Sequence, residues 1–206
     1  MTGVVILAAG SSSRLGKPKQ NLVYQGRTLL QKAVETAVAS VCKPIIVVLG
    51  ANAENIKPTI QKKEITILYN ADWAEGMASS VRCGIEQLKK SAPHVSSVIL
   101  MLCDQPFVDT GLLNAMVEKQ LKLSPGIVAC GYNDTIGVPV LFENKYFDEL
   151  LLLKGQEGAK KLLLKYKGLV SSIPFALGSV DIDTVEDHDY FKTLTTGESF
   201  ERYNAG

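Results

Sequence analysis

Three cations, Arg14, Lys17 and Lys19, stand in a run rich in small residues near the start of the chain. The run reads Leu7-Ala8-Ala9-Gly10-Ser11-Ser12-Ser13-Arg14-Leu15-Gly16-Lys17-Pro18-Lys19. Gly10 lets the chain turn sharply off an apolar segment. Small side chains let backbone N–H groups approach an anion, and Arg14 and Lys19 supply countercharge. This is chemistry suited to a triphosphate. It is not a P-loop, because five residues rather than four separate Gly10 from Gly16, and Pro18 follows Lys17 where Ser or Thr would hold magnesium; it also lacks the GxGxxG of dinucleotide-binding folds. An ordinary βα loop with surface cations is the plainer alternative. A second candidate is Cys103-Asp104-Gln105-Pro106. A carboxylate leaving an apolar strand can hold Mg²⁺, a hard cation that prefers oxygen ligands and keeps waters. Asp104 could equally start a turn before Pro106. In Asp181-Ile182-Asp183 two carboxylates share one face of an extended segment. They need a cation, a donor or water; a solvent-facing edge beside a helix start would also suffice. Gly76-Met77-Ala78-Ser79-Ser80 could admit a flat base against backbone groups, or be a helix start capped by Ser79.

The elements that must position these groups alternate along the chain. Strands are expected over 4–7, 45–49, 65–69 and 98–102, the last three after helical stretches. The helix over 28–41 puts Leu30, Val34, Ala37 and Val41 on one face, and Pro44 follows its end. Pro58 breaks a short helix over 53–62. The helix over 79–90 turns Val81, Ile85 and Leu88 inward. That over 109–123 turns Leu112, Leu113, Met116, Val117 and Leu121 inward. Segments 127–130 and 138–142 flank a turn-rich stretch with Asn133-Asp134 and form a hairpin. Helical pieces over 146–152 and 158–165 precede candidate strands at 169–173 and 179–183. Thr184 and Asp187 resemble a capping box that opens a final helix. Apolar strands alternating with helices give an α/β fold with a largely parallel sheet. Ligands bind such sheets beyond the strands' carboxyl ends, so the loops after Leu7, Leu102 and Asp183 are the ones to inspect. Residues 1–195 read as one domain and 196–206 as a loosely held tail.

Composition narrows the function classes. The chain has 206 residues, 46% hydrophobic and 21% charged, with a net charge of +1. These values suit a globular protein and remove one usual pointer to nucleic acid, a strongly basic domain. No apolar run reaches the ~18 residues of a membrane span. The apolar start lacks the basic region of a signal peptide and breaks at Gly10. Cys42, Cys83, Cys103 and Cys130 are scattered, and neither they nor His94 and His188 have metal-ligand spacing. A reducing cytoplasm is the expected compartment.

Taken together, the loops form a set. LAAGSSSRLGKPK at 7–19, GMASSVRCGI at 76–85, LCDQP at 102–106, GVPVLF at 137–142, GQEGAKKLL at 155–163 and DIDTVED at 181–187 run through almost the whole chain. In this order they resemble the nucleotidyltransferase family typified by the molybdenum cofactor guanylyl- and cytidylyltransferases. The resemblance implies a single Rossmann-like three-layer α/β/α domain with a mostly parallel central sheet, as in nucleotide-diphospho-sugar transferases. It implies Mg²⁺-dependent transfer of a nucleoside monophosphate with release of pyrophosphate. LAAG at 7–10 resembles the cytidylyl branch, where the guanylyl branch reads LAGG. CTP is therefore expected over GTP, the Ala9 methyl crowding a purine. Three departures stand out: Val138 where relatives have His before proline, Gln156-Glu157 for a segment opening with Asp, and Val185 for Pro. The first two lie in the part expected to meet the acceptor.

The resemblance assigns roles to particular residues. Lys19 and Arg14 would take the β and γ phosphates. Asp104 and Asp181 would hold Mg²⁺, with Asp183 as second choice. Leu7, Ala8, Ala9, Gly10, Gly76, Met77 and Ser80 would contact the nucleotide, with Asn70 supporting the base loop. The acceptor would be molybdopterin, whose phosphate attacks the α-phosphorus in line. A phosphate monoester is largely a dianion at neutral pH, so no general base is required. Catalysis is then positioning plus charge neutralisation. A molybdoenzyme or its chaperone would be met transiently; nucleic acid and membrane are not expected partners. Alternatives are GTP as donor, a sugar or isoprenoid phosphate as acceptor, a cofactor-binding module without transfer, and a dehydrogenase.

Overall fold

The computed structural model describes residues 1–12, 16, 18–60 and 62–180. Along the chain run β1 (Thr2–Ala8), β2 (Val23–Tyr24), β3 (Arg27–Thr28), α1 (Leu29–Ala39), β4 (Ile45–Leu49), α2 (Ala53–Ile56) and β5 (Ile65–Tyr69). Then follow α3 (Met77–Ser91), β6 (Ser97–Leu102), α4 (Thr110–Leu123), β7 (Ile127–Tyr132), β8 (Thr135–Glu143), α5 (Phe147–Leu151), α6 (Ala159–Lys165) and β9 (Val170–Pro174). Seven strands form one sheet in the order β5-β4-β1-β6-β8-β7-β9. β8 alone runs against the others, because it returns from β7 through a tight hairpin. Asn133 and Asp134 supply the positive φ angles of that turn, 46° and 55°. β2 and β3 form a separate small ribbon.

The alternation of side chains along β1 and β4 divides the core in two. Val4, Ile6, Ala8, Ile45 and Val47 face α1, α2 and α4. Val5, Leu7, Ile46 and Val48 face α3, α5 and α6. Both strands are buried on both faces, which is why they read as unbroken apolar runs. Burying one such side chain fully contributes ~1.5–3 kcal/mol. The chain is therefore a single three-layer α/β domain with a mostly parallel sheet. α1 begins at a full capping box, in which Thr28 accepts from the Gln31 N–H and Gln31 reaches back to the Thr28 N–H. The break in the 53–62 helix is present as well: α2 ends at Ile56 and a 3₁₀ turn covers Lys57–Ile60.

Three expectations fail. α1 ends at Ala39, so Val41 lies past the helix and is 66% exposed. Leu121 is 78% exposed, because Gln120 takes the inward position by donating to Glu143 and turns its neighbour outward. Ser179 belongs to a 3₁₀ turn, Ala176–Ser179, and not to a strand. Val180 follows that turn as its C-cap and is not in a strand either; residues 181–183 and the final helix from Thr184 lie outside the described residues. No described helix is long and apolar enough to cross a membrane.

Register fixes the ligand edge. Leu7 pairs with Leu102, and Ala8 with Leu49, so β1, β4 and β6 end at one level. From β1 the chain proceeds to β4 on one side, and from β6 to the β7–β8 hairpin on the other. The crevice between diverging connections is where such sheets take ligands.

Candidate active site

The loop after β1 is held from its far end. Gln20 is fully buried, and its Nε2 donates to the carbonyls of Ala8 and Gly10, both at 2.9 Å. The Lys19 N–H donates to Ser12 Oγ at 3.0 Å. Ser12 takes the turn at φ 54°. The left-handed residue of this loop is thus Ser12, and Gly10 is not among the positive-φ residues. A Cβ added at Gly10 would meet nothing within 4 Å among the described residues, so this glycine keeps space clear. The loop's closure fixes the start of the Lys19 side chain. Its ammonium forms an ion pair with Asp104 Oδ2 across the edge of the sheet.

Asp104 stands two residues past the end of β6 and is 5% exposed. Its other oxygen, Oδ1, is buried without a hydrogen-bond partner among the described residues. A buried carboxylate with a spare lone-pair face is poised for a cation. Mg²⁺ is typically held by one or two carboxylates plus substrate phosphates and waters, so a single strand-end Asp fits that chemistry. Among the described residues no group of three or more His, Cys, Asp or Glu could hold a metal alone. The adjoining Cys103 thiol is pushed up to about 12, by burial first and by the Asp104 charge second. At neutral pH it is a protonated, inert wall.

The far wall is the segment before and into α3. Asn70 is buried; its Nδ2 donates to Ser79 Oγ at 2.8 Å and Ser80 Oγ at 3.0 Å. Its Oδ1 accepts from the Asp72 N–H at 3.0 Å. Asn70 thus braces the loop from behind and does not line the cavity. Ser79 Oγ donates to the Gly76 carbonyl at 2.8 Å and does not cap the helix. The Ala78 N–H, in the first turn, donates to the Gly155 carbonyl at 3.0 Å. Gly76 has φ 128°, and a Cβ there would collide with the Gly155 carbonyl. Gly76→Ala is expected to cost about 1–3 kcal/mol of stability. Gly10→Ala, entering open space, should stay within about 0.5 kcal/mol of the parent. Urea melts of the two variants check this contrast.

These walls enclose a cavity of about 420 Å³. That is within the range of small-molecule sites. Leu7, Ala8, Ala9 and Gly10 line it from the first loop, with Lys19 and Asp104 beside them. Gly76, Met77 and Ser80 line it from the α3 side. Of the sequence candidates, Arg14, Asp181 and Asp183 lie outside the described residues. Sequence reasoning missed Gln20, Trp73, Ala74 and Gln156 among the lining residues. Gln20 carried a usable signal, since it adjoins Lys19 in the same loop. The α5–α6 connection carrying Gln156 was read only as meeting an acceptor.

The family model described as "MobA-like NTP transferase domain" matches residues 4–169. The chain belongs to that family. The MobA-like domain so matched takes in both walls of the cavity and the Lys19–Asp104 pair. A protein named nicotine blue oxidoreductase from Paenarthrobacter nicotinovorans is 32% identical over 199 residues, covering 90% of this chain and 93% of its own. The molybdenum cofactor cytidylyltransferase of Escherichia coli is 24% identical over 184 residues, covering 89% and 91%. The crystal structure of Rv0371c from Mycobacterium tuberculosis superposes with a TM-score of 0.78 at 29% identity, covering 92% of this chain and 96% of that one. The same protein has been solved in complex with manganese, with a TM-score of 0.75 at 26% identity, covering 92% and 97%. Within the MobA-like family this chain is thus a nucleotidyltransferase by membership.

Proposed function

We propose that the chain transfers CMP from CTP to a phosphorylated acceptor, with molybdopterin as the first candidate, and releases pyrophosphate. The observation that carries this reading is the Lys19–Asp104 pair beside the small-residue loop, facing the Gly76–Ser80 wall across one cavity. The 24%-identical cytidylyltransferase supports the nucleotide and the acceptor, and so does LAAG at 7–10. Ala9 is 5% exposed and lies over Gly50, where an added Cβ would be 2.8 Å from the Ala9 Cβ. The Ala9 methyl is therefore packed against Gly50.

In this mechanism the Ala8–Gly10 backbone and Ser80 hold the base and ribose. Lys19 neutralises charge on the leaving pyrophosphate, and Arg14 is assigned beside it on the resemblance alone. Asp104, with Asp181 and then Asp183 in support, would hold Mg²⁺. When bound, the metal would polarise the phosphates and offset their charge. The acceptor phosphate is its own nucleophile, so the protein needs only to hold it in line. GTP as donor and a sugar or isoprenoid phosphate as acceptor are the nearest variants. Oxidoreduction is named by the 32%-identical relative. Against it stands a cavity whose charged groups suit phosphate and metal, together with the lack of GxGxxG.

CTP with Mg²⁺ at about a hundred times its Kd should stabilise the fold by about 2.7 kcal/mol. For a chain of this size that raises Tm by roughly 5–10 °C. GTP at equal concentration should raise it less. Thermal melts with CTP, GTP and NADH, each with and without Mg²⁺, decide the matter. A larger shift with GTP selects the guanylyl reading, and a shift with NADH alone selects the redox one.

A further inference from the structure

The cavity has a wall from the second half of the chain, and that wall is tied down more firmly than a helix–helix connection needs. In the turn between α5 and α6, the Glu157 N–H donates to the Lys154 carbonyl at 3.1 Å, and Glu157 Oε2 accepts from the Lys154 N–H at 2.9 Å. The Gly155 N–H donates to Glu75 Oε1 at 3.2 Å, while the Gly155 carbonyl takes the Ala78 N–H at 3.0 Å. Glu75 is itself gripped by both guanidinium nitrogens of Arg82, at 2.9 and 2.5 Å. Arg82 also donates to the Leu153 carbonyl at 2.8 Å. That pairing, with the Gly155 N–H second, holds the Glu75 carboxyl below the usual carboxylate range.

The residue between these anchors is Gln156. Its side chain lines the cavity and makes no hydrogen bond within the described residues. Its Nε2 lies 2.8 Å from the position of an added Gly76 Cβ, so the carboxamide rests on the bare α-carbon of Gly76. A carboxamide offers a donor and an acceptor side by side. A nucleobase edge presents the complementary pair; a phosphate presents acceptors only.

We infer that Gln156 is a further binding residue whose carboxamide hydrogen-bonds the base of the bound nucleotide. The inference rests on the nucleotide-binding reading above and assigns its base contact to a residue from the α5–α6 turn. The Glu75–Arg82 clasp is then the positioning device, holding the turn so that Gln156 meets the base at a fixed height over Gly76.

Calorimetric titrations of CTP and GTP with Mg²⁺, and of inorganic tripolyphosphate, into wild type and Gln156→Ala form the test. Gln156 is exposed and unpartnered, so Gln156→Ala should melt as the wild type does. The variant should bind CTP about three- to tenfold more weakly and tripolyphosphate unchanged. Gln156→Glu, which keeps the acceptor and loses the donor, should lose CTP affinity further through repulsion of the triphosphate. Equal weakening of CTP and tripolyphosphate, or no weakening of either, overturns the inference. So does unchanged CTP binding with a raised KM for a phosphorylated acceptor. A wild type that binds neither nucleotide defeats the parent reading instead, and one that binds GTP more tightly moves the same comparison to GTP.

Discussion

Lys19→Ala is expected to lower turnover by about 30- to 1000-fold, the rate equivalent of ~2–4 kcal/mol lost from a charge-assisted contact in the transition state. Lys19 extends from a loop pinned by Gln20 and Ser12, so its ammonium is aimed before the nucleotide arrives. The ion pair with Asp104 adds a stability effect that the sequence did not suggest. Asp104 is buried, and removing its cation strands a charge. Breaking a buried pair costs about 3–5 kcal/mol; with Lys19 22% exposed, the loss should be nearer about 2–3 kcal/mol. The double variant Lys19→Ala/Asp104→Asn removes the stranded charge and should be more stable than Lys19→Ala alone. Pyrophosphate-release assays and urea melts of the wild type and these two variants measure both effects. Wild-type turnover in a folded Lys19→Ala variant would take this lysine out of the mechanism.

Asp104→Asn is expected to raise the Mg²⁺ needed for half-maximal activity by at least about tenfold. Losing groups that merely orient a metal ligand already costs 10- to 100-fold, and Asp104 is proposed as a ligand itself. The carboxamide keeps the size and one oxygen facing Lys19, so the fold should survive. Binding of Mn²⁺ alone, followed by electron paramagnetic resonance, gives a second readout independent of turnover. Asp181→Asn is proposed to act in the same direction and more strongly than Asp183→Asn. If instead Asp104 served only its turn, substitution would change stability by ~1 kcal/mol and leave the metal requirement alone. Identical Mg²⁺ titrations in the wild type, Asp104→Asn and Asp181→Asn would rule out the proposed metal site.

Much of this fold was legible in one dimension, for a physical reason. A strand buried on both faces must be apolar throughout, so Ile45–Leu49 and Ser97–Leu102 announce themselves with nearly correct limits. A helix with one buried stripe shows its period, as Val81, Ile85 and Leu88 do in α3. The apolar stripe of Leu30, Val34 and Ala37 likewise marks α1. Asp104 drew notice as a carboxylate leaving an apolar strand, and the resemblance of the loop motifs to one family supplied the remaining candidate residues. Leu7–Gly10, Lys19, Gly76, Met77, Ser80 and Asp104, separated by up to 97 positions, line one cavity.

Tertiary structure decided what depends on distant partners. The pairing of Lys19 with Asp104 is a contact across 85 positions, set by the neighbouring registers of β1 and β6. Leu121 points outward because Gln120 found Glu143, and helical period alone cannot see that bond. Gly76 needed its positive φ and bare α-carbon because the Gly155 carbonyl presses on it from the α5–α6 turn, 79 positions away in the same helical layer. Gln156 reached the cavity only through the Glu75–Arg82 clasp, whose members flank the start of α3. Sequence carries period, caps and the ends of strands, since those are set within a few residues. It does not carry the meeting of loops from separate crossovers, which is fixed only when the sheet assembles.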